Sequence, residues 1–103
     1  MDNVFEIIDK LGKKVYLSTE RWKHIQKHPH MHEHLENIQL TLKKSIIITY
    51  EDDENVLYFY KEFKQNELKE RYLLVGVKYL NCKGFIITSF FTNKITGTKW
   101  KIK

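Results

Sequence analysis

The clearest periodicity in this chain is helical: Met31, Leu35, Ile38 and Leu42 recur at spacings of four, three and four. That spacing predicts a helix with one apolar stripe. Ahead of it, a shorter helix is predicted from Thr19, with Ser18 as its N-cap and Glu20 in the first turn, where a carboxylate suits the helix dipole. Trp22 and Ile25 form its apolar face. It is expected to stop at His28-Pro29, because the residue before a proline is pushed out of the α region. A short strand is expected before it at Lys14–Leu17, following the turn-like Leu11-Gly12-Lys13.

After Lys44 the pattern is that of strands. Ser45–Tyr50 (SIIITY) is β-branched and apolar, and EDDEN at 51–55 makes a turn. Val56–Phe63, Arg71–Leu80 and Gly84–Thr92 follow, separated by the polar KQNELKE loop and by the turn Asn81-Cys82-Lys83-Gly84. Loops of about two to five residues imply hairpins and antiparallel pairing. The expected fold is therefore α+β: an N-terminal helical pair packed on one face of a four-stranded antiparallel meander. The tail Ile95–Lys103 (ITGTKWKIK) reads equally as a further strand, an RNA clamp or a partner anchor.

At 103 residues, with one Pro, four Gly and no repeat or linker, positions 1–103 are expected to form a single domain. A 14% aromatic share supplies much buriable area to a small core. Cys82 is the only cysteine, which excludes an intramolecular disulfide and fits a reducing compartment. The first residues show no signal-peptide pattern, and the longest apolar runs are too short to span a bilayer. A cytoplasmic protein without membrane contact is expected.

Charge adds a partner class. The net charge is +5 and the pI about 9.3, carried mostly by lysine, with Arg21 and Arg71 the only guanidinium residues. This balance suits a polyanion such as RNA and equally suits a merely solubilising surface.

Two constellations narrow the choice. All five histidines fall between His24 and His34, and His24 and His28 stand four apart beside the Trp22/Ile25 stripe. Imidazoles at the edge of a buried face suit proton transfer near neutral pH. Zinc chelation by the pair is the competing reading, yet no Glu follows His24 and no third ligand is evident. His30, His32 and His34 read as a polar face. In the strands, Lys61, Lys78, Thr88 and Ser89 interrupt apolar runs and Arg71 opens one. By strict alternation Lys61 shares a face with Leu57, Phe59 and Phe63, Lys78 with Leu74, Gly76 and Leu80, and Thr88 with Ile86 and Phe90. Together they would make a cationic, hydroxyl-bearing sheet surface, with Tyr58, Tyr60, Tyr72 and Tyr79 available to stack on bases. No glycine-rich phosphate loop, dinucleotide fingerprint or nucleophile elbow is present.

The string His24-x-x-x-His28-Pro29, the apolar second helix, YFYKEF, YLLVGVK and a last strand carrying ITS resemble one family over roughly Lys14 to Thr92. That family is the phage-associated branch of the barnase, EndoU, colicin and RelE-like nucleases, small toxin-like RNase domains. The resemblance implies one or two helices on an antiparallel sheet of four or five strands, with RNA across the opposite face. It implies metal-independent endoribonuclease activity, in which the ribose 2′-OH attacks the adjacent phosphate and leaves a 2′,3′-cyclic phosphate. His28 would be general base or acid, His24 its partner, Lys61, Lys78 and Arg71 the phosphorane cations, and Thr88 or Ser89 a donor to a non-bridging oxygen. Tyr58 and Tyr60 join Arg71 as substrate contacts, with no cofactor or metal. His30 departs from the family, whose members often carry an acid after the proline. The alternatives are an inactive RNA-binding protein of this fold, a toxin held by a protein antitoxin or inhibitor, and a histidine-rich metal-binding protein.

Overall fold

Leu73 to Val77 are buried without alternation, which marks the strand they sit in as one covered on both faces. Around it the computed structural model describes residues 3–63 and 69–95 and the backbone of 99–102. In chain order the elements are β1 (Asn3–Ile8), β2 (Lys14–Ser18), α1 (Thr19–Ile25), a 3-10 turn (Met31–Glu33), α2 (Leu35–Lys44), β3 (Ile47–Tyr50), β4 (Val56–Glu62), β5 (Tyr72–Leu80), β6 (Lys83–Thr92) and β7 (Lys99–Ile102). The strands form one sheet in the order β1-β2-β6-β5-β4-β3-β7, antiparallel except where β2 runs parallel to β6.

This overturns the expected helical pair on a four- to five-stranded antiparallel sheet. The sheet is larger and mixed. Strand β1 carries only exposed and half-buried residues, so its weak alternation gave no strand signal. The parallel β2–β6 junction, Lys14–Tyr16 against Lys83–Phe85, joins segments almost seventy residues apart, which no local pattern reports. The helices do not pair either. Helix α1 packs mainly on β6 and β2, and α2 on β5 and β4, so each docks separately on the sheet. Ser18 does cap α1, its Oγ accepting from the Arg21 N–H at 3.0 Å. The helix nevertheless ends at Ile25, short of His28-Pro29. Met31 belongs to the 3-10 turn, after a left-handed His30 at φ 62°, yet still reaches the core. The tail contributes a further strand at the β3 edge. Residues 64–68 of the KQNELKE loop, and 1–2, 96–98 and 103, lie outside the described residues.

One irregularity decides which side chains share a face. Val77 pairs with Ile86 and Gly76 with Thr88, so Ile87 is an unpaired bulge residue in β6. Ile86 therefore enters the core beside the helices, while Thr88 points to the other face. The strict alternation that put Ile86 and Thr88 together fails here.

The β1–β2 turn is pinned from inside. Asp9, buried, accepts from the N–H groups of Leu11 at 2.8 Å and Lys13 at 3.0 Å, and from the Tyr79 hydroxyl across the core. Burial first, then the Asp9 carboxylate, push the Tyr79 phenol above its ordinary pKa, so it stays a donor. Gly84 lies under the same ring. A Cβ there would meet Tyr79 Cε2 and Val77 Cγ1 at 2.8 Å and Val15 Cγ2 at 3.0 Å. No helix among the described residues is long and apolar enough to cross a membrane.

Gly84→Ala is expected to destabilise the fold by about 1–3 kcal/mol through overpacking at this junction. Urea unfolding of the variant beside wild type measures it.

Candidate functional site

The sheet has a helix-covered face and an outer face. Pairing aligns the outer face in rows: Tyr58, Gly76 and Thr88 lie side by side on β4, β5 and β6, then Tyr60, Leu74 and Phe90 one step on. Thr88 and Tyr58 close over the buried Gly76, since a Cβ there would sit 3.0 Å from Thr88 Cγ2 and 3.4 Å from the Tyr58 ring. Not all of this face is open. Tyr60 is 0% and Leu74 1% exposed, with Tyr60 edge-on to Tyr72 at 6.2 Å.

At the margin of that face stands His28. It follows α1 in a bend, its N–H donating to the Ile25 carbonyl at 3.0 Å and its carbonyl accepting from Met31 at 3.3 Å. The ring is exposed and lies 5.4 Å from the Phe90 ring. His28, Pro29, Glu70, Phe90 and Phe91 line a cleft of about 210 Å³. The cleft straddles the β6 edge, since Phe90 belongs to the outer face and Phe91 to the core. His34 backs it, edge-on to Phe91 at 4.8 Å and with Nδ1 2.9 Å from the Asn37 amide. His28 and Glu70 thus line one small, largely aromatic cleft, two residue types that serve acid–base chemistry.

The other predicted residues disperse. His24 lines a separate cleft with Ser18, Glu20 and Arg21, because the chain leaves the helix before His28 and breaks the four-residue spacing. Lys61 lies on the helix-side face of β4, with Nζ 4.8 Å from the Phe63 ring, which in turn meets Phe91 edge-on at 6.3 Å. Arg71 bonds Glu62 at 2.8 Å and lies 5.2 Å over Tyr72. That hydrogen bond, followed by Tyr72, holds the guanidinium above its ordinary pKa. Lys78 sits toward the far end of β5, six residues from Tyr72 and so roughly 20 Å away. There it bonds Asp53 at 2.7 Å, and Asp53 shares a cleft with Glu51, Asp52, Val56, Tyr58 and Ile87. Ser89 is buried on the core side, donating to the Leu74 carbonyl at 2.8 Å. Tyr79 is likewise a core residue, committed to Asp9 and unable to stack on a base.

Among the described residues no three of His, Cys, Asp and Glu gather in a way that could hold a metal ion. The structure thus brings His28 together with Phe90 and sets Thr88 two positions along the same face. It adds Glu70, which the sequence showed only as part of a polar loop, its one signal being its place directly before Arg71.

No family model matches the chain, and neither do any curated protein or solved structure.

Asp53 supplies a test of the far end. Its carboxyl is held below its ordinary pKa, first by the Lys78 hydrogen bond and then by the Asn55 N–H. A depressed folded pKa means that this contact stabilises fully above the unfolded value of about 3.9 and is lost as pH falls through the folded one. NMR titration of the Asp53 carboxyl is expected to give a midpoint below 3.9, which rises in Lys78→Ala.

Proposed function

We propose that the chain is a metal-independent endoribonuclease whose chemistry is centred on the His28 cleft. The observation that carries this reading is that His28 and Glu70 line one cleft, with the Phe90 ring against the imidazole. The Glu70 carboxylate takes the proton from the ribose 2′-OH, and the 2′-oxygen bonds to the adjacent phosphorus. The bond from phosphorus to the 5′-oxygen breaks, and the leaving oxygen receives its proton from the His28 imidazolium. The products are a 2′,3′-cyclic phosphate and a 5′-hydroxyl. Phe90 offers a ring for a neighbouring base, and Thr88 a hydroxyl on the same face. Arg71, at the same end of the sheet, supplies positive charge for the phosphorane. The net charge of +5 supports a polyanionic substrate, and the sequence resemblance to the barnase- and RelE-like nucleases agrees with the chemistry. The single, exposed Cys82 suits the cytoplasm.

A second reading is an RNA-binding protein without cleavage. The dispersal of His24, Lys78 and Ser89 favours it, because it leaves fewer groups around His28 than the resemblance implies.

Purified protein incubated with total RNA, with and without EDTA, separates the two. Cleavage insensitive to EDTA and leaving cyclic-phosphate ends is expected. His28→Ala should lower the rate by about 100-fold or more without shifting thermal unfolding, the ring being exposed. Full activity in that variant would sink the mechanism, and binding without cleavage would establish the second reading.

A further inference from the structure

The outer face carries a second aromatic feature, at the opposite end of β6 from His28. Tyr16 of β2 and Phe85 of β6 are direct partners in the parallel junction, and their rings stack with centroids 5.6 Å apart and planes 20° from parallel. Phe85 is 41% exposed, so its ring presents an open side to solvent. Three lysines surround the pair. Lys78 is the cross-strand partner of Phe85 on β5, while Lys14 and Lys83 face each other one row further along β2 and β6. Leu80 continues that row on β5 and Ile8 on β1, both exposed. Two of the lysines have carboxylate neighbours, Lys14 with Glu6 at 3.1 Å and Lys78 with Asp53 at 2.7 Å. Neither pair is buried, so both remain exchangeable for phosphate in water.

We propose that Tyr16 and Phe85, with Lys14, Lys78 and Lys83 around them, form a stacking platform for an unpaired stretch of single-stranded nucleic acid. A base laid on the open side of Phe85 extends a stack that Tyr16 already begins. Lys14 and Lys78 stand on the strands either side of β6 and Lys83 on β6 itself, within reach of the phosphates on either side. A paired base cannot offer its face to the ring, so the platform selects single strands over duplex. Phe85 and Phe90 lie on the same face of β6, about 15 Å apart along the strand. One strand of several nucleotides therefore runs from the platform to the His28 cleft. The platform rests on the cleavage reading for what lies at the far end of that strand, and is measured without it.

The probe is a fluorescein-labelled single-stranded oligoribonucleotide, fully 2′-O-methylated so that it cannot be cleaved, with anisotropy recorded at low salt. Wild type is expected to bind, with an affinity that falls as salt rises. Phe85→Ala should bind about 5- to 100-fold more weakly, and Phe85→Tyr close to wild type. The same sequence as a duplex should bind more weakly and be insensitive to Phe85→Ala. Unchanged affinity in Phe85→Ala with unchanged thermal unfolding overturns the platform even if cleavage is intact. Absence of binding by wild type overturns it as well. A variant that keeps its affinity but changes oligomeric state assigns the face to protein contact and also overturns it. Tight binding that depends on Phe85, in a protein that cuts no RNA, upholds the platform and sinks only the active-site reading.

Discussion

The attachment of the β1–β2 hairpin to β6 is the constraint on which the rest of this structure depends. The parallel contact is three residues long and is compressed at Gly84, where Val15, Val77 and Tyr79 leave no room for a side chain. Tyr79 reaches through this point to Asp9, which organises the hairpin's own turn. Backbone pairing, close packing and a buried polar contact therefore meet in one place. Because β2 pairs only with the first residues of β6, no strand among those described covers Ile86–Thr92 on that side. Helix α1 packs on β6, and the bend after it delivers His28 to Phe90. The junction both holds the hairpin and leaves the edge at which the cleft forms.

What the sequence made legible was local. Ser18 capped its helix because an N-cap needs only the following turn, and the Ile38/Leu42 stripe of α2 is buried as its spacing required. The hairpins of β4, β5 and β6 followed from short loops between apolar runs. Features set by distant partners were not legible. Strand β1 is a half-exposed edge, and β6 finds β2 across both helices and three strands. The site followed the same division. His28 and Phe90 were visible as residue types, but the separation of His24, the commitment of Ser89 to Leu74 and the arrival of Glu70 all depend on tertiary placement.

The electrostatics of the outer face are mixed. Its cationic side chains sit among carboxylates: Glu6 beside Lys14, Asp53 beside Lys78, and Glu62 beside Arg71. Such pairs contribute little to stability at the surface, where water and salt screen them. Their effect falls on binding, because a phosphate must compete with a carboxylate already in place. Affinity for a polyanion on this face is therefore moderated by the protein's own acids, and the aromatic rings carry a larger share of it than the net charge suggests.

The bulge at Ile87 has a consequence best put in terms of phase. A strand is a wave of period two, and one unpaired residue advances it by half a period. Upstream of Ile87 the odd-numbered Phe85 faces outward; downstream, the even-numbered Thr88 and Phe90 do. With no phase slip, Phe85 would share its side with Ser89 and Phe91, and the ring beside His28 would lie on the reverse of the sheet. A single inserted residue thus brings the two ends of β6 into the same half-space, so that one ligand can span them without crossing the sheet.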